Sequence, residues 1–222
     1  MSEFAVVSEF QRRRPAGKAL RAGLAVAVAA GGVLAVSALP AAAAPKKCYA
    51  GQWVSTGLTA KISGRSNETG KMQNVKYQGM AGIKLKLHPV DGLVYNFTGS
   101  KRETFAGTNV EGERTEGWEK LTGVLYLPAK ITGDKKGVIT SKNKKAKGPA
   151  TGTGQNTKPE IASWGTWKVA DHAKIGHFDT PVVKKATFTC TPGKKLVIKD
   201  VRKWDTFTET LTMNFKPKKK KA

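Results

Sequence analysis

Carboxylates are scarce in this chain, which has 16 Asp and Glu against 39 Lys and Arg and a formal charge of +23 over 222 residues. The deficit excludes an acidic solvating chain and makes polyanions the natural electrostatic partners. Two cysteines are too few for a disulfide-dense miniprotein. Long apolar runs are missing beyond residue 44, which argues against a polytopic membrane protein. No window past that point holds an apolar period of 3.6 residues, so helices are not expected. Catalytic signatures are missing too. No Ser after residue 44 sits in Gly-x-Ser-x-Gly, no Gly-rich loop could cradle a phosphate, and no Cys-His arrangement survives oxidation of the two cysteines. Neither an enzymatic role nor a cofactor is expected.

What is there begins with an export signature. Arg12, Arg13, Arg14, Lys18 and Arg21 precede an uncharged, Ala-rich stretch from Ala22 to Ala44, the pattern of a signal peptide over residues 1–43 cut after Ala41-Ala42-Ala43. A retained anchor is the competing reading, against which stand the weakly apolar composition and the abrupt polar start at Ala44-Pro45-Lys46-Lys47. The expected product is a secreted, extracellular, monomeric protein. Taking the five basic and two acidic residues of 1–43 away leaves +20 on residues 44–222. In an oxidising compartment Cys48 and Cys190 permit one intramolecular disulfide, and the alternatives are a lipid-modified Cys48 or two separate thiols. A bridge would place the start of the exported chain beside a late strand.

From residue 44 to 215 the recurring pattern is two-residue alternation broken by Gly, Pro, Asn and Asp. In Ile83-Lys84-Leu85-Lys86-Leu87-His88 the apolar side chains point one way and the polar ones the other. Pro89-Val90-Asp91-Gly92 supplies a turn, and Leu93, Tyr95 and Phe97 share a face of the return strand. Similar hairpins are expected from Leu121–Ile131 with Val138–Ser141 and from Ala186–Cys190 with Leu196–Ile198. Further strands are expected at Tyr49–Ile62, Trp164–Val169 and Phe207–Phe215. Lys142–Lys158, rich in Lys, Gly and Thr, reads as a long exposed loop. At least eight antiparallel strands in one domain favour an all-β, up-and-down barrel, with a β-sandwich as the alternative. Residues 216–222 form a lysine-rich tail.

Gly51-Gln52-Trp53 at the first strand, behind an export signal and close to Cys48, resembles the Gly-x-Trp of secreted bacterial lipocalin-like proteins. The resemblance implies that Trp53 plugs one end of a barrel whose interior receives a small apolar ligand. Two departures stand against it. Gly165-Thr166-Trp167 repeats the motif elsewhere, and no arginine follows the last strand. On the alternation, the lining residues would be Leu85, Leu87, Tyr95, Phe97, Leu125, Phe188, Leu211 and Met213. Glu209, on the same face between Phe207 and Leu211, must be paired, raised in pKa or open to water, and could orient a ligand's polar group.

Two further constellations were weighed. Asp171, His172, His177 and Asp179 carry metal-type side chains, but their spacing fits a polar loop better than a zinc site, and no metal is expected. Lysines cluster at Lys142, Lys144, Lys145 and Lys147 and again at Lys218, Lys219, Lys220 and Lys221. Such clusters serve solubility, yet a charge this high draws polyanions by counterion release. No recognition helix is visible, so sequence-specific nucleic-acid reading is not expected. The alternative to a ligand-binding barrel is a cationic protein that adheres to anionic envelope polymers.

Overall fold

The computed structural model describes residues 47–160, 163–176 and 181–218, apart from the side chain of Trp204. The expected signal segment, its cleavage site, His177, Asp179 and Lys219–Lys221 lie outside the described residues. The fold is all-β, with 62% of the described residues in strands and 6% in helix. Fourteen strands run β1 Gly51–Arg65, β2 Met72–Gly79, β3 Lys84–His88, β4 Gly92–Asn96, β5 Glu103–Thr108, β6 Arg114–Thr122, β7 Val124–Leu127, β8 Ala129–Gly133, β9 Lys136–Ser141, β10 Thr151–Lys158, β11 Thr166–Lys168, β12 Lys185–Thr191, β13 Lys195–Trp204 and β14 Phe207–Pro217. One short helix, α1, spans Val169–Ile175.

All pairings are antiparallel and belong to one sheet, in the order β11-β10-β6-β5-β2-β1-β14-β13-β12-β9-β8, with β3, β4 and β7 branching from β1. The branch is possible because β1 is 15 residues long. Its first four residues pair with β3, and Leu58–Arg65 pair with β2, while β14 runs along the opposite edge. As a ladder the sheet is not closed. It ends at β11, at β8 and, on the branch, at β7; β7 and β8 are consecutive in the chain with only Pro128 between them, and a proline contributes no ladder N–H. Six pairings skip intervening strands: β1 with β3, β1 with β14, β2 with β5, β4 with β7, β6 with β10 and β9 with β12.

Alternation decides which side of each strand is covered. β12 reads buried at every second residue, with Ala186, Phe188 and Cys190 inward and Lys185, Thr187, Thr189 and Thr191 outward. The inward residues of β1, β3, β4, β7 and β12–β14 meet in one core that includes Trp53, Leu85, Tyr95, Phe97, Leu125, Phe188 and Met213. Gly92 opens β4 at φ +87°, where a side chain would be strained and a Cβ would lie 2.3 Å from the Ala129 nitrogen. Cys48 and Cys190 are bonded, Cα atoms 6.1 Å apart, across 142 residues of sequence. The chain-entropy model assigns closure of such a loop about 5 kcal/mol.

Two expectations are corrected. Lys142–Lys158 is not a long loop. After a 3-10 turn at Asn143–Lys145, Ala146 and Ala150 are buried, and Thr151–Lys158 is the strand β10, paired with β6. The inward positions of β10 are Gly152 and Gly154, which carry no apolar signal but let the rings of Trp167 and Trp164 lie on the backbone. The expected strand Trp164–Val169 is shortened to β11, because its last residue opens α1. That helix is only seven residues long and stops at Gly176, φ +87°, too short to register as a period.

Candidate functional site

The side chains expected to line a ligand cavity come together, but as packed core. Leu85, Leu87, Tyr95, Phe97, Leu125, Phe188, Leu211 and Met213 are all 0–2% exposed, and the rings of Tyr95 and Phe97 stack at 5.6 Å. Of these eight only Leu87 borders either of the two grooves described below. Trp53 is 4% exposed and its Nε1 donates to the Tyr49 carbonyl at 2.9 Å.

Glu209 is buried on the inner face and engaged. The turn at Asp205-Thr206 sets a register that puts Arg202 of β13 directly opposite it. Arg202 donates from Nη1 to Glu209 Oε2 at 3.1 Å, from Nε to Asp200 Oδ2 at 3.2 Å, and from Nη2 to the Val182 carbonyl at 2.6 Å. Asp200 Oδ2 also accepts the Lys184 N–H at 2.8 Å. Burial pushes the Glu209 carboxyl up despite the opposing pull of Arg202. Glu103, fully buried on β5, faces Glu119 across β5–β6, and both carboxylates join burial in raising the Tyr77 hydroxyl. The inner wall thus holds four carboxylates, Asp200, Glu209, Glu103 and Glu119. Sequence reading missed Arg202, although its mirror placement with Glu209 about Asp205-Thr206 was the available signal.

Beyond this centre the inner face of β2, β5 and β6 continues into an aromatic series. Tyr77, Phe105, Trp164, Trp167 and His172 follow one another at ring separations of 5.5, 5.7, 6.3 and 5.7 Å. His172 therefore stacks on Trp167, and Asp171 pairs with Lys174 at 2.9 Å, which holds its carboxyl below the ordinary range. No group of three metal-type side chains is present among the described residues.

The outer face is the electrostatic complement of the inner one. β9, β12, β13, β14, β1 and β2 are neighbours in the sheet. Their exposed cations are Lys136 on β9, Lys185 on β12, Lys195, Lys199 and Lys203 on β13, Lys216 on β14, Lys61 and Arg65 on β1, and Lys76 on β2. These six strands contain two carboxylates, Asp200 and Glu209, and both are buried on the inner side. Cross-strand registers place hydroxyls and amides between the cations. Thr187, Lys199, Thr212, Thr59 and Gln78 form one row, and Lys203, Thr208, Ser63 and Asn74 another. Lys195, Lys199 and Lys203 recur about 13 Å apart along β13, and Lys61 lies directly opposite Lys76 on the adjacent strand, about 5 Å away. Spacings on this scale are comparable with the Debye length of about 8 Å at physiological salt, so the charges act as a field. Lys142, Lys144, Lys145 and Lys147 are exposed beside β10, and Lys218 is exposed where its N–H donates to the Gln52 carbonyl at 3.0 Å.

Two grooves interrupt the surface. One, of about 480 Å³, lies on the outer side of β2, β5 and β6, where the Arg102 guanidinium sits 5.8 Å from the Trp118 ring centroid. The other, of about 970 Å³, lies beside Cys48 and Trp53. No helix among the described residues is long and apolar enough to cross a membrane. No protein-family model matches the chain, and no match is found among curated proteins or among solved structures.

Proposed function

We propose that this protein acts outside the cell as a non-enzymatic binder of anionic polymers, such as those of a cell envelope, attached through the outer face of β9, β12, β13, β14, β1 and β2. The observation that carries the reading is the sorting of charge, with nine cations on that face and its two carboxylates turned into the core. Folding two carboxylates inward leaves the outer field uncompensated, and a polyanion that neutralises it releases its own condensed counterions. Lysine dominates over arginine on this face, which suits a diffuse electrostatic contact better than bidentate recognition of one group. The Cys48–Cys190 bond supports the extracellular placement, since such bonds persist in oxidising compartments. The exposed lysines of the turn segment, Lys142, Lys144, Lys145 and Lys147, and Lys218 add to the positive charge.

A small apolar ligand inside the core is the second reading. It is favoured by the cluster of apolar side chains on the inner wall, and it requires side chains that are 0–2% exposed to part.

The test is retention on immobilised dextran sulfate across a salt series. Binding is expected to weaken linearly in log K against log salt, and K61E/K199E/K203E is expected to flatten the slope by about three. Deletion of residues 216–222 should have a smaller effect. Retention unchanged by salt, or by the triple variant, overturns the reading.

A further inference from the structure

The groove beside the disulfide combines two surface chemistries. Its floor is apolar. Trp53 and Leu87 lie at the bottom, 4% and 1% exposed, with Pro192 and Pro217 at the sides. Its rim is cationic, with Lys47, Lys86 and Lys218 all exposed. Gln52 pairs with Lys86 on one side and accepts the Lys218 N–H on the other, so the two lysines stand on strands flanking β1, their backbones about 10 Å apart.

None of the lining residues is a carboxylate. Two acids lie nearby, Asp134, whose Oδ1 accepts the Cys48 N–H at 2.6 Å, and Asp91, whose Oδ2 lies 3.0 Å from His88 Nδ1. The volume of about 970 Å³ falls within the range of about 300–1,000 Å³ usual for small-molecule sites.

An apolar floor gains about 0.8 kcal/mol for each methylene it takes out of water, and a lining with three lysines and no carboxylate favours one negative head group. We propose that this groove binds a single fatty carboxylate, with the acyl chain laid over Trp53 and Leu87 and the carboxylate held between Lys86 and Lys218. The site lies at one end of the sheet and adjoins the polymer-binding face at Lys218, two residues beyond Lys216, while Trp53, Leu87 and Lys86 lie outside that set of cations.

The test is calorimetric titration of the full exported chain with sodium laurate below its critical micelle concentration, alongside dodecanol and sodium acetate. Laurate is expected to saturate at one molecule per chain while dodecanol and acetate give at least tenfold weaker binding. K86E/K218E is expected to raise the laurate Kd at least tenfold, and K61E/K199E/K203E to leave it unchanged. A doxyl-labelled laurate should broaden the Trp53 indole resonance of the unaltered protein, a readout that does not depend on any variant folding. Absence of saturable laurate binding, equal binding of dodecanol, loss of binding in K61E/K199E/K203E rather than K86E/K218E, or an unbroadened Trp53 signal would each overturn the proposal.

Discussion

Arg202 and Glu209 face each other across the β13–β14 pair, Nη1 3.1 Å from Oε2, on the side of the sheet turned away from water. The guanidinium also holds Asp200 and the Val182 carbonyl, so one cation ties two strands and the segment leading into β12. Around it lie the two carboxylates of β13 and β14, while the outer face of these strands carries none.

Removing that cation leaves buried carboxylates without their counter-charge. Arg202→Met is expected to destabilise the fold by about 3–5 kcal/mol, measured by urea denaturation. The double variant R202M/E209L, although it removes more of the wild-type centre, should be more stable than R202M alone. Equal or greater destabilisation by the double variant would show that the pair does not act through compensation of charge.

The pH dependence of Glu209 has a defined sign. Its carboxyl is raised by burial above the value of about 4.3 expected in the unfolded chain. The native state therefore binds more protons between those two values. The associated stability is full below the unfolded pKa and is lost as pH rises through the folded one. The difference in urea midpoint between wild type and E209Q should consequently move in favour of wild type as pH is lowered from 7 to 4. A difference that is flat with pH contradicts this assignment.

Tyr77 and Tyr95 are raised far above the ordinary tyrosine range and Tyr49 less so, in each case chiefly by burial. The stability tied to these groups is present below about pH 10, where the unfolded chain would ionise, and falls above it. Phenolate absorbance from these three residues should therefore appear only together with loss of near-ultraviolet circular dichroism. Reversible ionisation of Tyr77 or Tyr95 in the folded protein would contradict their burial.

Gly152 and Gly154 are seats for rings. A Cβ on Gly152 would lie 2.3 Å from Trp167 Cε2, and one on Gly154 2.5 Å from Trp164 Cε3. Gly152→Ala should lift Trp167 off the strand at a cost of about 1–3 kcal/mol, visible as a shifted tryptophan emission and a lower urea midpoint. A variant as stable as wild type would mean that the ring is not held by this contact.

Legibility followed the strength of the alternation. β3, β4 and β14 carry large apolar residues at nearly every second position, and the sequence alone places their inward faces correctly. β2, β5, β6 and β10 were not anticipated because their inward positions hold Gln73, Glu103, Glu119, Gly152 and Gly154, residues that look like surface or turn. They are strands because rings from other segments cover them. Charge was legible as a total and not as a distribution. Glu209 was legible on the apolar face of its strand, but no reading of the sequence placed Asp200 and Arg202 inward while Lys199 and Val201 point outward.

The order of residues by itself determined an antiparallel all-β chain, the pairing of its two cysteines and an excess of positive charge, because alternation, cysteine count and composition are local quantities. Tertiary structure decided that β1 serves three partners, that glycines in β10 act as platforms for tryptophan, and that cations and carboxylates part to opposite sides of one sheet. Those outcomes depend on which strands become neighbours and in what register, and a shift of one residue would turn every side chain of a strand to the other face.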